Sequence, residues 1–221
     1  MFDLLRNRYL DVLGSIYIYN EHRGYSSIER VIAAVRARWP GERTFIAELD
    51  KHRADERKHY MLFRRWFEKR GRMPLEVDKT CGHIDRLVRL TFGCNVDDLD
   101  QDAVTADPVL FAKLCRIIML TEQRGMRQVD ILLQSAIIHG DTRLHKIFKV
   151  IEIDEPSHWA PYEAWLKRNA GGEPTWRERL ADAIVHRTLL LVKLPALFLN
   201  PFVGRRGVWQ DSDETPVALA A

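Results

Sequence analysis

Cysteine is scarce in this chain: Cys81, Cys94 and Cys115 are the only three among 221 residues, and no two form a Cys-x-x-Cys pair. An odd, dispersed set argues against a disulfide framework and a thiolate zinc site, and points to a reducing compartment. Long hydrophobic runs are also lacking, since none reaches the roughly 18 apolar residues of a membrane span. The first eight residues have neither the unbroken apolar core nor the small-residue cleavage site of a secretory signal. A cytoplasmic protein is the expectation. Charge of one sign is missing too: 34 Lys and Arg against 31 Asp and Glu leave +3, too little to imply a nucleic-acid partner by itself. Strand-like alternation is nearly absent, so the class read from the pattern is all-α.

What the chain does have is helical periodicity over four long segments. The first, about 4–38, aligns Leu10, Leu13, Tyr17, Glu21, Gly24 and Ile28, and Trp39-Pro40-Gly41 stops it. The second, about 42–70, aligns Phe45, Leu49, His52, Glu56, His59 and Phe63 and ends at Gly71. A connection over 71–106 holds one short candidate helix, about 82–92, and lets the chain cross from one end of a helical bundle to the other. The third segment, about 108–138, aligns Leu114, Ile118, Glu122, Gly125 and Val129. The fourth, about 141–168, aligns Phe148, Ile151, Glu155, His158 and Tyr162, with Asp141 as its N-cap. With 46% hydrophobic residues, one domain over 1–170 and a C-terminal extension over 171–221 is the expected organisation.

A signature occurs twice on these stripes. Glu21-His-Arg-Gly24 recurs as Glu122-Gln-Arg-Gly125, and Asp55-Glu56-Arg-Lys-His59-Tyr60 recurs as Asp154-Glu155-Pro-Ser-His158-Trp159. The lone glutamate precedes the Glu-x-x-His glutamate by 35 residues in the first copy (21 to 56) and by 33 in the second (122 to 155). All six candidates, Glu21, Glu56, His59, Glu122, Glu155 and His158, fall on apolar stripes that face a core. Four ionised carboxylates in a low-dielectric interior cost several kcal/mol each unless paired. Two divalent cations balance four carboxylates and leave both imidazoles neutral, so the inventory matches a two-metal centre. Oxygen-rich sites with one imidazole each favour iron, with manganese second, over zinc.

With these motifs the chain resembles the ferritin-like di-iron carboxylate proteins, in which two helices give one Glu each and two give a Glu-x-x-His. The resemblance covers about residues 8–168. It implies a ferritin-like four-helix bundle with a long crossover between its second and third helices. It implies two Fe ions, one served by Glu21, Glu56 and His59 and the other by Glu122, Glu155 and His158, with the Glu-x-x-His glutamates bridging. The Asp before each of these glutamates resembles the Asp-Glu-x-Arg-His motif of bacterial multicomponent monooxygenases, which gives Asp55 and Asp154 the role of partners to ligand histidines. This chain departs at the Arg position, which holds Lys58 and Ser157. The implied activity is reductive activation of O2 by an oxidase or monooxygenase acting on a small organic substrate, with a reductase as electron donor. The rivals are a ferritin-type iron-oxidising protein, a quinone hydroxylase, and a tRNA hydroxylase drawing on the basic stretch Arg64 to Arg72. A homodimer is expected.

Other residues carry alternatives. His52, one turn before Glu56, is an extra ligand, a proton donor or a hydrogen-bonded core histidine. Gly24 and Gly125 either open space beside the metals or allow close helix packing. Arg23 and Arg124 recur in register and pair either with Asp55 and Asp154 or with surface acids. Tyr17, Tyr25, Tyr60 and Trp159 are core aromatics or electron relays. Pro156 either kinks a continuous fourth helix, the reading that the apolar period favours, or starts a new one. Residues 176–194 form an amphipathic helix that runs into a greasy stretch broken by Lys193 and Pro195. The part over 186–202 is a candidate peripheral membrane contact, a lid over an apolar tunnel or a cap on the bundle. From Asp211 onward a disordered tail is expected.

Overall fold

The structure, a computed structural model, describes residues 2–211. Apart from one isolated bridge between Leu75 and Arg205, its regular elements are helical. In chain order they are α1 (Phe2–Arg38), α2 (Arg43–Lys69), α3 (His83–Phe92), a 3-10 turn (Val96–Asp98), α4 (Gln101–Ala106), α5 (Pro108–Leu133) and α6 (Ala136–His139). There follow α7 (Thr142–Asp154), α8 (Pro156–Arg168), α9 (Trp176–Thr188), a π turn (Leu189–Lys193) and α10 (Leu194–Leu199).

Local chemistry sets many of the ends. Gly71 takes a left-handed φ of +61° after α2, and Gly93 takes +78° after α3, a region glycine enters without steric cost. The Asp107 side chain accepts from the amides of Val109 and Leu110, with Pro108 in the first turn of α5. The Asp141 carboxylate likewise accepts from Leu144 N and starts α7. Thr175 and Glu178 close a reciprocal capping box on α9. The third segment is shorter than its periodicity suggests. Its helix stops at Leu133, Ser135 is extended, and the apolar residues to 138 belong to the separate turn α6.

At Pro156 the fourth segment divides. α7 ends at Asp154 and α8 starts at Pro156, yet Glu155 between them keeps helical dihedrals (φ −49°, ψ −44°). Proline lacks the amide that would continue the ladder. The turn tightens around it, with His158 N donating to Glu155 O at 2.8 Å. The chain is therefore interrupted at one residue and keeps its helical course.

α1 packs along α2, and α5 packs along α7 and α8, while α2 also meets α7 and α8. Two hydrophobic clusters fill the ends of this arrangement. One gathers Ile28, Val35, Phe45, Phe111, Leu114 and Trp165. The other gathers Leu10, Tyr60, Phe63, Val129, Leu144 and Phe148. Polar residues predicted as metal ligands lie between the two. A third cluster joins Val12, Ile16, Leu75 and Cys81 to Leu189, with Leu194 and Leu197 against it, and fastens the C-terminal segment to α1. Asp211, where the tail reading began, is buried and accepts from Tyr60 Oη at 2.7 Å and Arg64 Nη1 at 2.9 Å. The remainder of that reading, 212–221, lies outside the described residues. Among the described residues no helix is long and apolar enough to cross a membrane.

Candidate metal centre

Each arm of the repeated signature comes from one helix. Glu21 sits in α1, Glu56 and His59 lie one turn apart in α2, Glu122 sits in α5, Glu155 stands at the α7–α8 junction, and His158 lies in the first turn of α8. Glu21, Glu56, Glu155, His59 and His158 are all buried.

The side chains converge. His59 Nδ1 lies 3.3 Å from Glu21 Oε2, and His158 Nδ1 lies 3.3 Å from Glu56 Oε1, 3.8 Å from Glu155 Oε2 and 3.9 Å from Glu122 Oε2. Two sets of donor atoms lie within 4.8 Å of one another, close enough for each set to hold a metal ion: Glu21, Glu56 and His59 in one, His52, Glu56, Glu122 and His158 in the other. Glu56 belongs to both. The first set is the predicted trio. In the second, His52 and Glu56 join Glu122 and His158, and Glu155 stands beside them on His158 without entering the tight group. His52 also meets Tyr162 Oη through Nδ1 at 3.2 Å and stacks on the His158 ring at 4.2 Å between centroids.

The imidazoles turn one nitrogen inward and the other outward. Inside, His59 Nδ1, His158 Nδ1, His52 Nε2 and Glu155 Oε2 are buried without a hydrogen-bond partner. Buried polar atoms are seldom left unpaired, so these inward orphans beside the two donor sets fit bound cations, while His158 Nε2 on the outer side is also without a hydrogen-bond partner. On the outside the partners cross between copies. His59 Nε2 meets Asp154 Oδ2 at 2.9 Å, and His158 Nε2 lies 3.6 Å from Asp55 Oδ2. Lys58 Nζ spans the two aspartates, donating to Asp55 Oδ1 at 2.6 Å and reaching Asp154 Oδ2 at 2.8 Å. Lys51 adds a further bond to Asp55 at 2.6 Å and one to Ser157 Oγ at 2.8 Å. A lysine thus sits between the two aspartates at the position where the resembled motif has arginine.

Without a metal, protons must supply the missing positive charge. Burial and the neighbouring Glu56 carboxylate push Glu21 up to about 7. Burial, with Glu56 and Glu21 nearby, pushes Glu155 up to about 8, and Glu122 is raised for the same reasons. Burial alone would lower His59, but its bond to Asp154 and the adjacent Glu21 carboxylate raise it to about 10. His158 is raised, against its burial, by Asp55 and Glu56. Asp55 is held well below the usual carboxylate range, against its partial burial, by His158, Lys51 and Lys58. His52 instead is lowered by burial and by the two other imidazoles. Carboxylates that hold protons next to imidazoles that gain them are the electrostatics of a site short of cations.

A cavity of about 300 Å³ opens beside the carboxylates, between α1 and α5. Glu56 and Glu155 border it from one side, and α3, α4, α9 and the π turn border it from the other, with Ile28, Leu114, Ile118 and Val129 among its apolar walls. His83 in α3 lines it as a buried imidazole whose Nε2 has no partner. Both glycines of the signature border the cavity, but their surroundings differ. A Cβ on Gly24 would stand 2.1 Å from Glu56 Oε2, whereas one on Gly125 would meet Glu155 Oε1 at an ordinary 3.6 Å.

Arg23 and Arg124 pair with neither Asp55 nor Asp154. Arg23 grips Asp85 of α3 through Nη2 at 2.7 Å, and Arg124 Nε donates to Asp182 of α9 at 2.6 Å. A sequence signal for these partners exists: Asp85 follows Glu56 by 29 residues (56 to 85) and Asp182 follows Glu155 by 27 (155 to 182), the same two-residue offset as in the first interval. The duplication therefore runs through a third helix in each half, α3 and α9, which pack on each other. Tyr17 lines the cavity, Tyr60 packs in the cluster of Phe63 and Phe148, and Trp159 lies half-buried against the other cluster. Comparison with protein-family models, with curated proteins and with solved structures finds no match to this chain.

Proposed function

We propose that this chain is a ferritin-like di-iron carboxylate protein that uses O2 to oxidise a small, largely apolar organic molecule held in the cavity. The observation that carries this reading is the meeting of three buried glutamates, the half-buried Glu122 and three buried histidines, with unpartnered donor atoms, at the edge of an apolar cavity. Glu21, Glu56 and His59 would hold one iron. Glu122, His158 and Glu56, with Glu155 alongside and His52 as an added donor, would hold the other, and manganese is the second choice of metal. Such a centre supplies the electrons that activate O2. The chain's own residues do the rest. Asp154, paired with Lys58, holds the His59 ring with Nδ1 inward, and Asp55 stands 3.6 Å from the outer nitrogen of His158. The apolar walls keep bulk water away and hold the substrate against the carboxylates.

An organic substrate is favoured over simple iron oxidation by the cavity, at the lower end of the volumes that enclose small ligands. A tRNA substrate has less support. Arg64 is engaged by Glu68 and Asp211, and Arg70 and Arg72 by Asp11, which turns three cations of this stretch toward the protein's own acids. Anaerobic reconstitution with Fe(II), followed by metal analysis and visible spectroscopy on admitting O2, tests the proposal. Two irons per chain and an O2-dependent absorption change are expected. A chain that binds no iron, or a shell-sized particle that mineralises iron, contradicts it.

A further inference from the structure

From Trp176 to Gln210 the sequence contains two acids, Glu178 and Asp182. Both are buried, held by Arg116 and Arg124. The charge this segment presents outward is therefore basic: Arg177 and Arg187 are exposed, Lys193 is half-buried, and exposed Arg179 donates to Pro174 O and lies 3.7 Å from Glu173, both just before the segment. Among these charges stand large apolar side chains in solvent. Trp176, Leu180 and Ile184 follow at four-residue spacing on α9, exposed by 69%, 51% and 46%; Leu191 (73%), Leu199 (74%) and Phe202 (91%) continue the surface. The other side of the same segment borders the cavity through His186, Leu189, Leu190 and Leu194.

A surface that is apolar and of one charge sign matches the interface of an anionic bilayer, where greasy side chains enter the acyl boundary and cations meet phosphates. It fits a second copy of this chain poorly, because a two-fold contact would set the basic rows against each other. We propose that the outer face of α9, the π turn and α10 docks on an anionic membrane, and that the cavity takes its substrate, a neutral and mostly apolar lipid, from that bilayer. Neutrality follows from the lining, whose charged groups include four carboxylates and no lysine or arginine. Docking stands on the surface alone, while the lipid as substrate rests on the oxidase reading above.

Cosedimentation of the full chain with phosphatidylcholine vesicles, with and without about one third phosphatidylserine, tests the docking. More than about tenfold stronger partition onto the anionic vesicles is expected, together with a similar loss in the L191E/F202E variant and loss of the anionic preference in R177E/R187E. These side chains are exposed or solvent-facing, so iron content and helicity stay at the wild-type level. Partition that ignores the phosphatidylserine, absence of pelleting, or full binding by L191E/F202E overturns the proposal. So does a dimer that this variant dissociates, which would give the face to a second copy. Two bound irons without vesicle binding reject docking alone; vesicle binding by a chain that takes up no iron rejects the metal reading alone.

Discussion

At the scale of the residue, the two glycines of the repeated signature make a controlled comparison. A methyl group on Gly24 would stand 2.1 Å from Glu56 Oε2, and the far end of that glutamate can swing away only by leaving the donor set it shares with both halves of the centre. Gly24→Ala should therefore keep the fold and lose metal, measured as iron per chain after anaerobic reconstitution. Gly125→Ala meets only ordinary contact at 3.6 Å, so it should keep its iron and gain up to about 1 kcal/mol from the better helix former. Equal iron in the two variants would contradict the geometry. Five of the glutamate and histidine candidates, all but Glu155, fall in the two close donor sets, and they stood out in the sequence because the signature repeats on apolar stripes. The crossing of Asp154 to His59 and Asp55 to His158 could not, since spacing along one helix says nothing about which helix faces it. His52 was ambiguous for the same reason: its neighbours Glu122, His158 and Tyr162 come from other helices.

At the scale of the element, Arg23 fastens α3, and Arg116 and Arg124 fasten α9. The Arg124–Asp182 pair is buried on both sides, with side chains exposed by 3% and 10%. Removing one partner of such a pair leaves a charge without compensation and costs about 3–5 kcal/mol. Arg124→Ala should lower stability by that order in urea titrations followed by circular dichroism. Arg36→Ala, which breaks the exposed pair with Asp50, should change it by less than about 1 kcal/mol. If the two cost the same, the tether has no special role. Helices α1 and α2 were legible almost to their ends, because long apolar periods and Gly or Pro stops bracket them. The π turn was not, because Leu189-Leu-Leu-Val-Lys193 carries no glycine or proline to mark it. The break at Glu155 was masked by an apolar period that runs on through both α7 and α8.

For the molecule as a whole, the proton load of the centre sets how its metal-free form responds to pH. Glu21 and Glu155, at about 7 and 8 when folded against an ordinary 4.5, bind more protons in the folded chain, so stability falls as pH rises through those values. His59, raised to about 10, contributes fully below 6.5 and loses its contribution on the way to 10. His22, held down to about 4 by burial and Arg23, acts in the opposite sense, as do buried His52 and His83, but only below 6.5. The thermal midpoint of the chelated protein should therefore fall between pH 6.5 and about 8.5, while added Fe(II) or Mn(II) stabilises more strongly at the upper end, where the ligands shed protons more readily. A midpoint that rises over this window without metal would show that the carboxylates are not held together. The cavity was illegible in the sequence, because space between α1 and α5 comes from how α3, α4 and α9 prop them apart and no local pattern encodes it.

The most direct test of the centre is an anaerobic Fe(II) titration of the wild-type chain, Glu21→Ala and Glu56→Ala, read as tightly bound iron per chain. Glu56 belongs to both donor sets and Glu21 to one. The account predicts two irons in the wild type, loss at a single site in Glu21→Ala and loss at both in Glu56→Ala; wild-type iron content in Glu56→Ala would contradict it.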